Sequence, residues 1–368
     1  MQTLTMHTSK TYDILIEEGL LASAAEHIAA VLPPRGGTCD AKAGASSGRK
    51  CCLVCDKTVF GLYGRKNQPL QSGLLSAGYE IHACTFEPGE ESKNITAASN
   101  ICRFMAEQHF TRNDFVIALG GGVCGDLAGF AASIYMRGIP FVQIPTTLLA
   151  MADSSVGGKT GVNTEAGKNM IGTFWQPELV IVDPSTLETL SETQLLNGLA
   201  EIIKAGFIAD GSIFDSISDG LTSAIVKAVN VKKEIVEEDE RESGRRKLLN
   251  LGHTIGHAIE KCSGFEVPHG YAVMTGLYLT SLAADQMGWS EKPVSGLVKN
   301  VIDAFAYPVY TEYSAAALAE VAAGDKKRDA ENIVIVYPDQ PGHCNMKELP
   351  VSELETFIAC GLKQAGGK

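Results

Sequence analysis

The sequence predicts an α/β protein of two domains, with strands and helices alternating in the first and helices dominating the second. Three observations carry this. Apolar, strand-like runs recur through the first half at Thr11–Ile16, Lys50–Cys55, Tyr79–Phe86, Phe115–Gly120, Phe141–Pro145 and Leu179–Asp183. The run Phe115–Gly120 enters a glycine loop and then a helix, Val123–Ile134, and Phe141–Pro145 completes a βαβ unit. From Ser191 onward the apolar spacing becomes helical. A chain of 368 residues is long enough for two domains of ordinary size, read here as 1–184 and 185–368.

Hydrophobic residues make up 45% of the chain, enough for large cores, and the net charge is −12 with a pI near 5.2. That balance argues against nucleic acid or an anionic membrane as the main partner, and leaves room for a locally basic site that takes a small anion. No apolar run reaches the roughly 18 residues of a membrane span. Met1–Lys10 is polar and lacks an export signal, so the ten cysteines are expected to be reduced thiols of a cytoplasmic protein. Cys52 and Cys55 form a C-x-x-C without a second pair, inside a strand-like run, and are read as core thiols.

In the first half, a helix is expected over Gly19–Val31. Pro33–Gly48 is rich in Gly, Ser, Ala and Pro and reads as a surface loop. Asp56, at a strand's carboxyl end, either meets a ribose or caps the next helix. Gly120, Gly122 and Gly125 have the G-x-G-x-x-G spacing. Such glycines let backbone N–H groups approach a pyrophosphate at a helix N-terminus, which makes the first domain Rossmann-like. No acid ends the strand that follows; Thr146 and Thr147 stand there, so a ribose would be held from elsewhere, for example by Asp56. Gly157–Thr160 has the G-K-T ending of a phosphate loop without its first glycine, and that reading is rejected. Lys159, Asn163, Lys168 and Asn169 on glycine-rich turns suit an anionic, hydroxylated ligand, or else a solvated loop.

In the second half, a helix over Leu195–Ile208 carries Glu201 and Lys204 on one face, as a surface ion pair or, since Glu201 is flanked by apolar residues, as a buried carboxylate that needs a partner. Lys227–Glu238 reads as a mostly solvated charged helix bearing Lys232. His253 and His257 stack one turn apart on a helix, and His269 follows. Such a pair can hold a divalent metal, but Thr254 stands where a zinc-protease helix needs Glu. Asp325–Arg328 reads as a basic turn, Ile333–Tyr337 as a strand and Pro350–Leu362 as a closing helix.

Seven segments in order resemble the 3-dehydroquinate synthase family: Gly120–Asp126, Ile144–Thr147, Val156–Asn163, Gly167–Gly172, Gly198–Lys204, Leu249–Glu260 and His269–Gly270. Each is moderately specific, and seven in order are highly specific. The resemblance runs from about Asp56 to Lys327. It implies an N-terminal NAD-binding domain, a mainly helical metal- and substrate-binding domain, a site in the cleft between them, and a homodimer. The implied reaction converts 3-deoxy-D-arabino-heptulosonate 7-phosphate, a sugar acid phosphate, to 3-dehydroquinate and phosphate on the shikimate pathway.

The resemblance further implies one divalent metal, zinc first and cobalt second, held by Glu201, His253 and His269, with His257 left to transfer protons. Hydride would leave to NAD, phosphate would be eliminated beside the new ketone, the hydride would return, and an aldol closure would form the ring. Arg137, Lys159, Asn169, Lys204, Lys232, Arg246 and Asn250 match substrate positions, with Lys326 or Lys327. Asp153 matches a position touching substrate and NAD. Asp56, Glu90, Lys93, Gly121, Gly122, Val123 and Asp126 match NAD positions, as do Thr146, Thr147, Lys159, Lys168, Thr186 and Thr189. This explains why cations converge in an acidic chain, since the ligand carries a phosphate and a carboxylate.

Two features depart from the family pattern. Tyr271 stands two residues after His269, where an acid is common, and the Pro33–Gly48 segment is longer than usual. Rival readings are another sugar phosphate cyclase, such as a 2-deoxy-scyllo-inosose synthase, a metal- and NAD-dependent polyol dehydrogenase, and a binding protein without catalysis. Arg246, Asn250 and the Lys326–Lys327 pair favour a carboxylate-bearing substrate.

Overall fold

A computed structural model describes residues 1–34, 48–165, 167–324 and 331–366. Most of the Pro33–Gly48 segment, and Lys326 and Lys327, lie outside the described residues. The chain divides into two compact units, Met1–Leu190 and Ser191–Lys368.

The first unit is built on a seven-stranded sheet. Its strands are β1 (Gln2–His7), β2 (Thr11–Ile16), β3 (Lys50–Asp56), β4 (Glu80–Phe86), β5 (Phe115–Gly120) and β6 (Phe141–Pro145). A hairpin of β7 (Lys159–Thr164) and β8 (Gly167–Phe174) stands apart from the sheet, and β9 (Leu179–Val182) returns to it. The order is β1-β2-β9-β6-β5-β3-β4, parallel throughout except for the antiparallel β1–β2 pair. Helices α1 (Ala24–Val31), α2 (Lys57–Tyr63), α3 (Pro69–Ser76), α4 (Ile95–Glu107) and α5 (Gly122–Ile134) connect the strands. Strand β5 is buried along its whole length, which is why Phe115–Leu119 is continuously apolar rather than alternating.

Asp183 closes β9 and is 1% exposed; its carboxylate accepts from the backbone N–H groups of Gly19 and Leu21, both at 2.8 Å, and so ties the sheet to the turn after β2. Cys52 and Cys55 sit within β3, and burial raises both thiols, Cys55 to about 12 with help from Asp56. Thiols so hard to ionise are poor nucleophiles and poor metal ligands.

The second unit contains α6 (Glu192–Ile208), α7 (Ile213–Asp219), α8 (Leu221–Glu238), α9 (His253–Cys262), α10 (His269–Gln286), α11 (Ser295–Ala304), α12 (Ala315–Gly324) and α13 (Leu354–Gln364). A hairpin of β10 (Asn332–Gln340) and β11 (His343–Pro350) accompanies them. The fold class is therefore the expected α/β class with a parallel sheet first and helices after.

Two local expectations are corrected, and one strand is added. The glycine-rich segments from Lys159 to Phe174 are not turns but the two paired strands β7 and β8. The helix α8 is not mostly solvated: Ile225, Val229, Lys232 and Val236 are among its buried residues, because that face packs into the helical core. Strand β11 was absent from the sequence reading, since His343–Pro350 shows little apolar alternation and is held by backbone pairing to β10.

Helix α10 sets the geometry of the second unit because two neighbours touch it backbone to backbone. A Cβ at Gly270 would lie 2.3 Å from the carbonyl oxygen of Asn197 on α6. A Cβ at Gly276 would lie 2.1 Å from the carbonyl oxygen of Gly252, the residue that opens α9. Only glycine permits these approaches. Gly276→Ala should therefore push α9 and α10 apart, at about 1–3 kcal/mol. Thermal unfolding should show the loss as a midpoint several degrees lower; an unchanged midpoint would mean that the helices tolerate a methyl at their crossing.

Candidate active site

Helices α6, α9 and α10 bring one residue each to a common point. Glu201 and Lys204 lie one turn apart on α6, both 3% exposed, and form an ion pair. The Lys204 ammonium also donates to the carbonyl of Leu249 at 2.7 Å. His253 begins α9, after Gly252 in a left-handed conformation at φ 76°. Its Nδ1 donates to the carbonyl of Leu251 at 3.0 Å, and since a carbonyl only accepts, Nε2 is left with its lone pair. That Nε2 lies 3.8 Å from Glu201 Oε1, and His269 Nε2 lies 3.4 Å from the same oxygen.

This geometry fits a metal. The ligating atoms of Glu201, His253 and His269 all lie within 4.8 Å of one another. Both carboxylate oxygens of Glu201 are buried away from water, with the Lys204 ammonium and the two imidazoles as their charged neighbours. A carboxylate this deeply buried calls for positive charge, and two imidazoles with one carboxylate form a donor set that suits a divalent ion and leaves positions open. His257 stands outside this group. Its side chain is 59% exposed, its ring centroid is 5.0 Å from that of His253, and its Nε2 is 3.9 Å from Glu260 Oε2.

The electrostatics follow from burial and neighbours. Burial pushes the Glu201 carboxyl up, but the Lys204 ammonium and the two imidazoles hold it well below the usual carboxylate range. Burial, then Lys204, hold His253 well below the usual imidazole range. Burial pulls His269 down as well, yet Glu201 and Glu260, one on each side of its ring, raise it to about 9.

A cavity of about 610 Å³ opens beside this group, lined among others by Asn250, His253, Thr254 and His257, with Lys247 and Lys261. Asn250 donates to Glu242 Oε1 at 2.8 Å. Arg246 is 1% exposed; its guanidinium donates to the carbonyl of Glu240, and its backbone N–H to Asp239 Oδ2 at 3.0 Å. Lys232 lies on α8, 9% exposed. Asp239, Glu242 and Glu260 were missed by sequence reasoning. Glu260 falls on the histidine face of α9, a signal that helical spacing could have supplied; Asp239 and Glu242 lie in a turn with no periodicity.

In the first unit, Gly121 caps α5 and Gly122 and Val123 form its first turn. A Cβ at Gly125 would lie 2.5 Å from Gln143 Oε1, so the third glycine of the motif allows α5 to pack on β6. Asp56 is the N-cap of α2, its Oδ1 accepting from Val59 N–H at 2.9 Å. Lys93, 5% exposed, pairs with Asp126 at 2.5 Å and donates to Asn169 Oδ1 at 2.5 Å. Asn163 donates to Glu90 Oε1 at 2.7 Å and accepts from the backbone N–H of Asn169, which sits at φ 57°. The structure thus gathers Glu90, Lys93, Asp126 and Asn169 into one polar network.

The other expected residues of this unit have their own partners. Thr146 follows β6 and donates through its backbone N–H to the carbonyl of Gly120 at 3.0 Å, and Thr147 Oγ1 accepts from Ala150 N–H at 3.3 Å. Asp153 lies in the short helix Ala150–Ser154, Lys159 opens β7 and Lys168 lies on β8. Thr186 directs its hydroxyl to the carbonyl of Asp183 at 2.9 Å, and Thr189 Oγ1 meets the Tyr63 hydroxyl at 2.8 Å. Arg137 lies beyond the C-terminal end of α5, about 20 Å of helix from the glycine loop.

A pH dependence follows from His269. Without metal, its raised value keeps the ring protonated up to about pH 9. The stability this gives the metal-free fold is complete below about 6.5 and is lost as pH rises through about 9. A metal must displace the Nε2 proton, so affinity should climb between those values by up to about tenfold per unit. Chelator competition across that range checks the slope; a flat profile would reject His269 as a ligand.

The family model for the 3-dehydroquinate synthase N-terminal region matches residues 83–197, and that for the C-terminal region matches residues 198–328. A 3-dehydroquinate synthase of Streptococcus mutans is 39% identical over 361 residues, covering 95% of this chain and 97% of the relative. Among solved structures, a 2-deoxy-scyllo-inosose synthase complexed with carbaglucose-6-phosphate, NAD+ and Co2+ aligns with a TM-score of 0.82 at 20% identity, covering 97% of this chain and 99% of that one. The 2-epi-5-epi-valiolone synthase of Streptomyces hygroscopicus subsp. jinggangensis, with NAD+ and Zn2+ bound, aligns with a TM-score of 0.80 at 28% identity, covering 98% and 99%. The level of identity over nearly the whole length, with both halves matched in order, decides among these relatives: the chain belongs to the 3-dehydroquinate synthase family.

Proposed function

We propose that this protein converts 3-deoxy-D-arabino-heptulosonate 7-phosphate to 3-dehydroquinate and phosphate, as a phosphate-eliminating carbon–oxygen lyase of the shikimate pathway. The reading extends to a homodimer working in the cytoplasm. The observation that carries it is the convergence of Glu201, His253 and His269 in a chain so similar to a 3-dehydroquinate synthase. When bound, a divalent metal supplies a Lewis acid and NAD a hydride acceptor.

The chain's own residues are assigned as follows. Glu201, His253 and His269 hold the metal. Lys204 keeps Glu201 ionised and oriented. His257, exposed beside the cavity, moves protons to and from the substrate's oxygens. Arg246, Asn250 and Lys232 bind the carboxylate end, with Glu242 and the carbonyl of Glu240 fixing the first two donors. Lys159 and Asn169 bind phosphate and hydroxyl groups, and Asp126, Lys93 and Glu90 shape the cofactor side through their network. The glycine loop at Gly121–Gly122 presents backbone N–H groups to the pyrophosphate.

The net conversion is redox-neutral, which separates the reading from a polyol dehydrogenase, while the substrate used separates it from other sugar phosphate cyclases. Phosphate should appear at many equivalents per NAD added with no matching NADH absorbance, and removal of NAD should stop it. One-for-one accumulation of NADH would replace the lyase by a polyol dehydrogenase, and turnover of glucose 6-phosphate instead would point to another sugar phosphate cyclase. Variants test the roles. His253→Ala should lose metal and activity together. His257→Ala should keep its metal while turnover falls about 10²–10⁴-fold; loss of metal from this variant would restore the simple His253–His257 pair as the ligands.

A further inference from the structure

His269 stands between two buried carboxylates, and only Glu201 has been given a role. Its Nε2 is 3.4 Å from Glu201 Oε1, and its Nδ1 is 3.2 Å from Glu260 Oε2. Glu260 is 2% exposed, on the same face of α9 as His253. A carboxylate removed from water must be compensated, and imidazoles stand beside this one: His269, and His257 with its Nε2 at 3.9 Å. Tyr271, at the position expected to carry an acid, packs edge-on against Tyr307 with centroids 5.6 Å apart.

We propose that Glu260 is the positioning residue for His269, accepting a hydrogen bond from Nδ1 and so turning Nε2 toward Glu201 and His253. The proposal rests on the metal reading given above. An ionised carboxylate can only accept, so Nδ1 keeps its proton, and the nitrogen that gives up a proton to a metal is Nε2, on the side of Glu201 and His253. The bond also resists rotation of the ring, and the negative charge makes the ligating nitrogen more basic. Leu251 does the same for His253 with a neutral carbonyl.

A competing account exists, because ligating atoms of His257, Glu260 and His269 also lie within 4.8 Å of one another. A second metal there would make His269 a doubly deprotonated bridge. One proton on Nδ1 satisfies the same contact with a neutral ring.

The test uses the full chain, stripped by chelator and reloaded with Zn2+ or Co2+. Metal stoichiometry, affinity and the visible cobalt spectrum are measured for the parent protein, Glu260→Gln and Glu260→Leu. Glu260→Gln retains an acceptor oxygen and should bind one metal with affinity reduced by up to about tenfold and a shifted cobalt band. Glu260→Leu removes the acceptor and should lose about 10–100-fold. Parent affinity with an unchanged cobalt band in Glu260→Gln overturns the proposal, whether or not Glu260→Leu folds. Two metals in the parent and one in either variant overturn it in favour of the second site. A parent that binds no metal overturns the metal reading and this inference with it, an outcome distinct from the first because no variant is needed to see it.

Discussion

The second unit is arranged around one buried carboxylate. Glu201 lies in the middle of α6 among apolar neighbours, with almost no contact with water. An ion there is costly unless opposite charge is close, and the structure supplies an ammonium one turn away and two imidazoles from other helices. The apolar crossings of α6, α9 and α10 hold these groups within reach of one another. The polar cluster in turn restricts how those helices can pack, since displacing any of them leaves a charge unpaired. Glycines at 270 and 276 are part of the same constraint, because the side chains reach Glu201 only when the backbones nearly touch.

The first unit solves a different problem, that of presenting backbone donors and a polar network at one end of a sheet whose central strands are fully buried. Its parallel strands leave side chains little to do but pack, so chemistry is moved to the loops after β5 and β6 and to the β7–β8 hairpin. Lys93 is central there: a nearly buried ammonium that joins Asp126 on α5 to Asn169 on the hairpin. The left-handed backbone of Asn169 is held by Asn163 across the hairpin, so the strain is local and compensated by a hydrogen bond.

Much of this was legible in the sequence where the signal is local. The apolar run Phe115–Leu119, the glycines after it and the helix that follows are encoded within a short stretch and fold as read. The histidines of α9 announce themselves by spacing. What escaped depended on long-range pairing. Strand β1 was overlooked because Gln2–His7 is polar and becomes a strand only against β2. Strand β11 owes its form to β10, and Lys232 was read as solvated because charge density on α8 masked its apolar stripe. Glu260 was passed over because a lone acid on a helix carries no mark of what lies across from it.

The metal-binding group has a topological side. Its three candidate ligands come from α6 and from the later, consecutive helices α9 and α10, and an ion joining them would close the segments between them as a covalent cross-link does, restricting the unfolded chain more than the folded one. The described cysteines are all free, and several are sealed in the core. A staple at this group would be made of nitrogen and oxygen rather than sulfur, and it would hold or release according to the supply of free ions rather than the redox state of the surroundings.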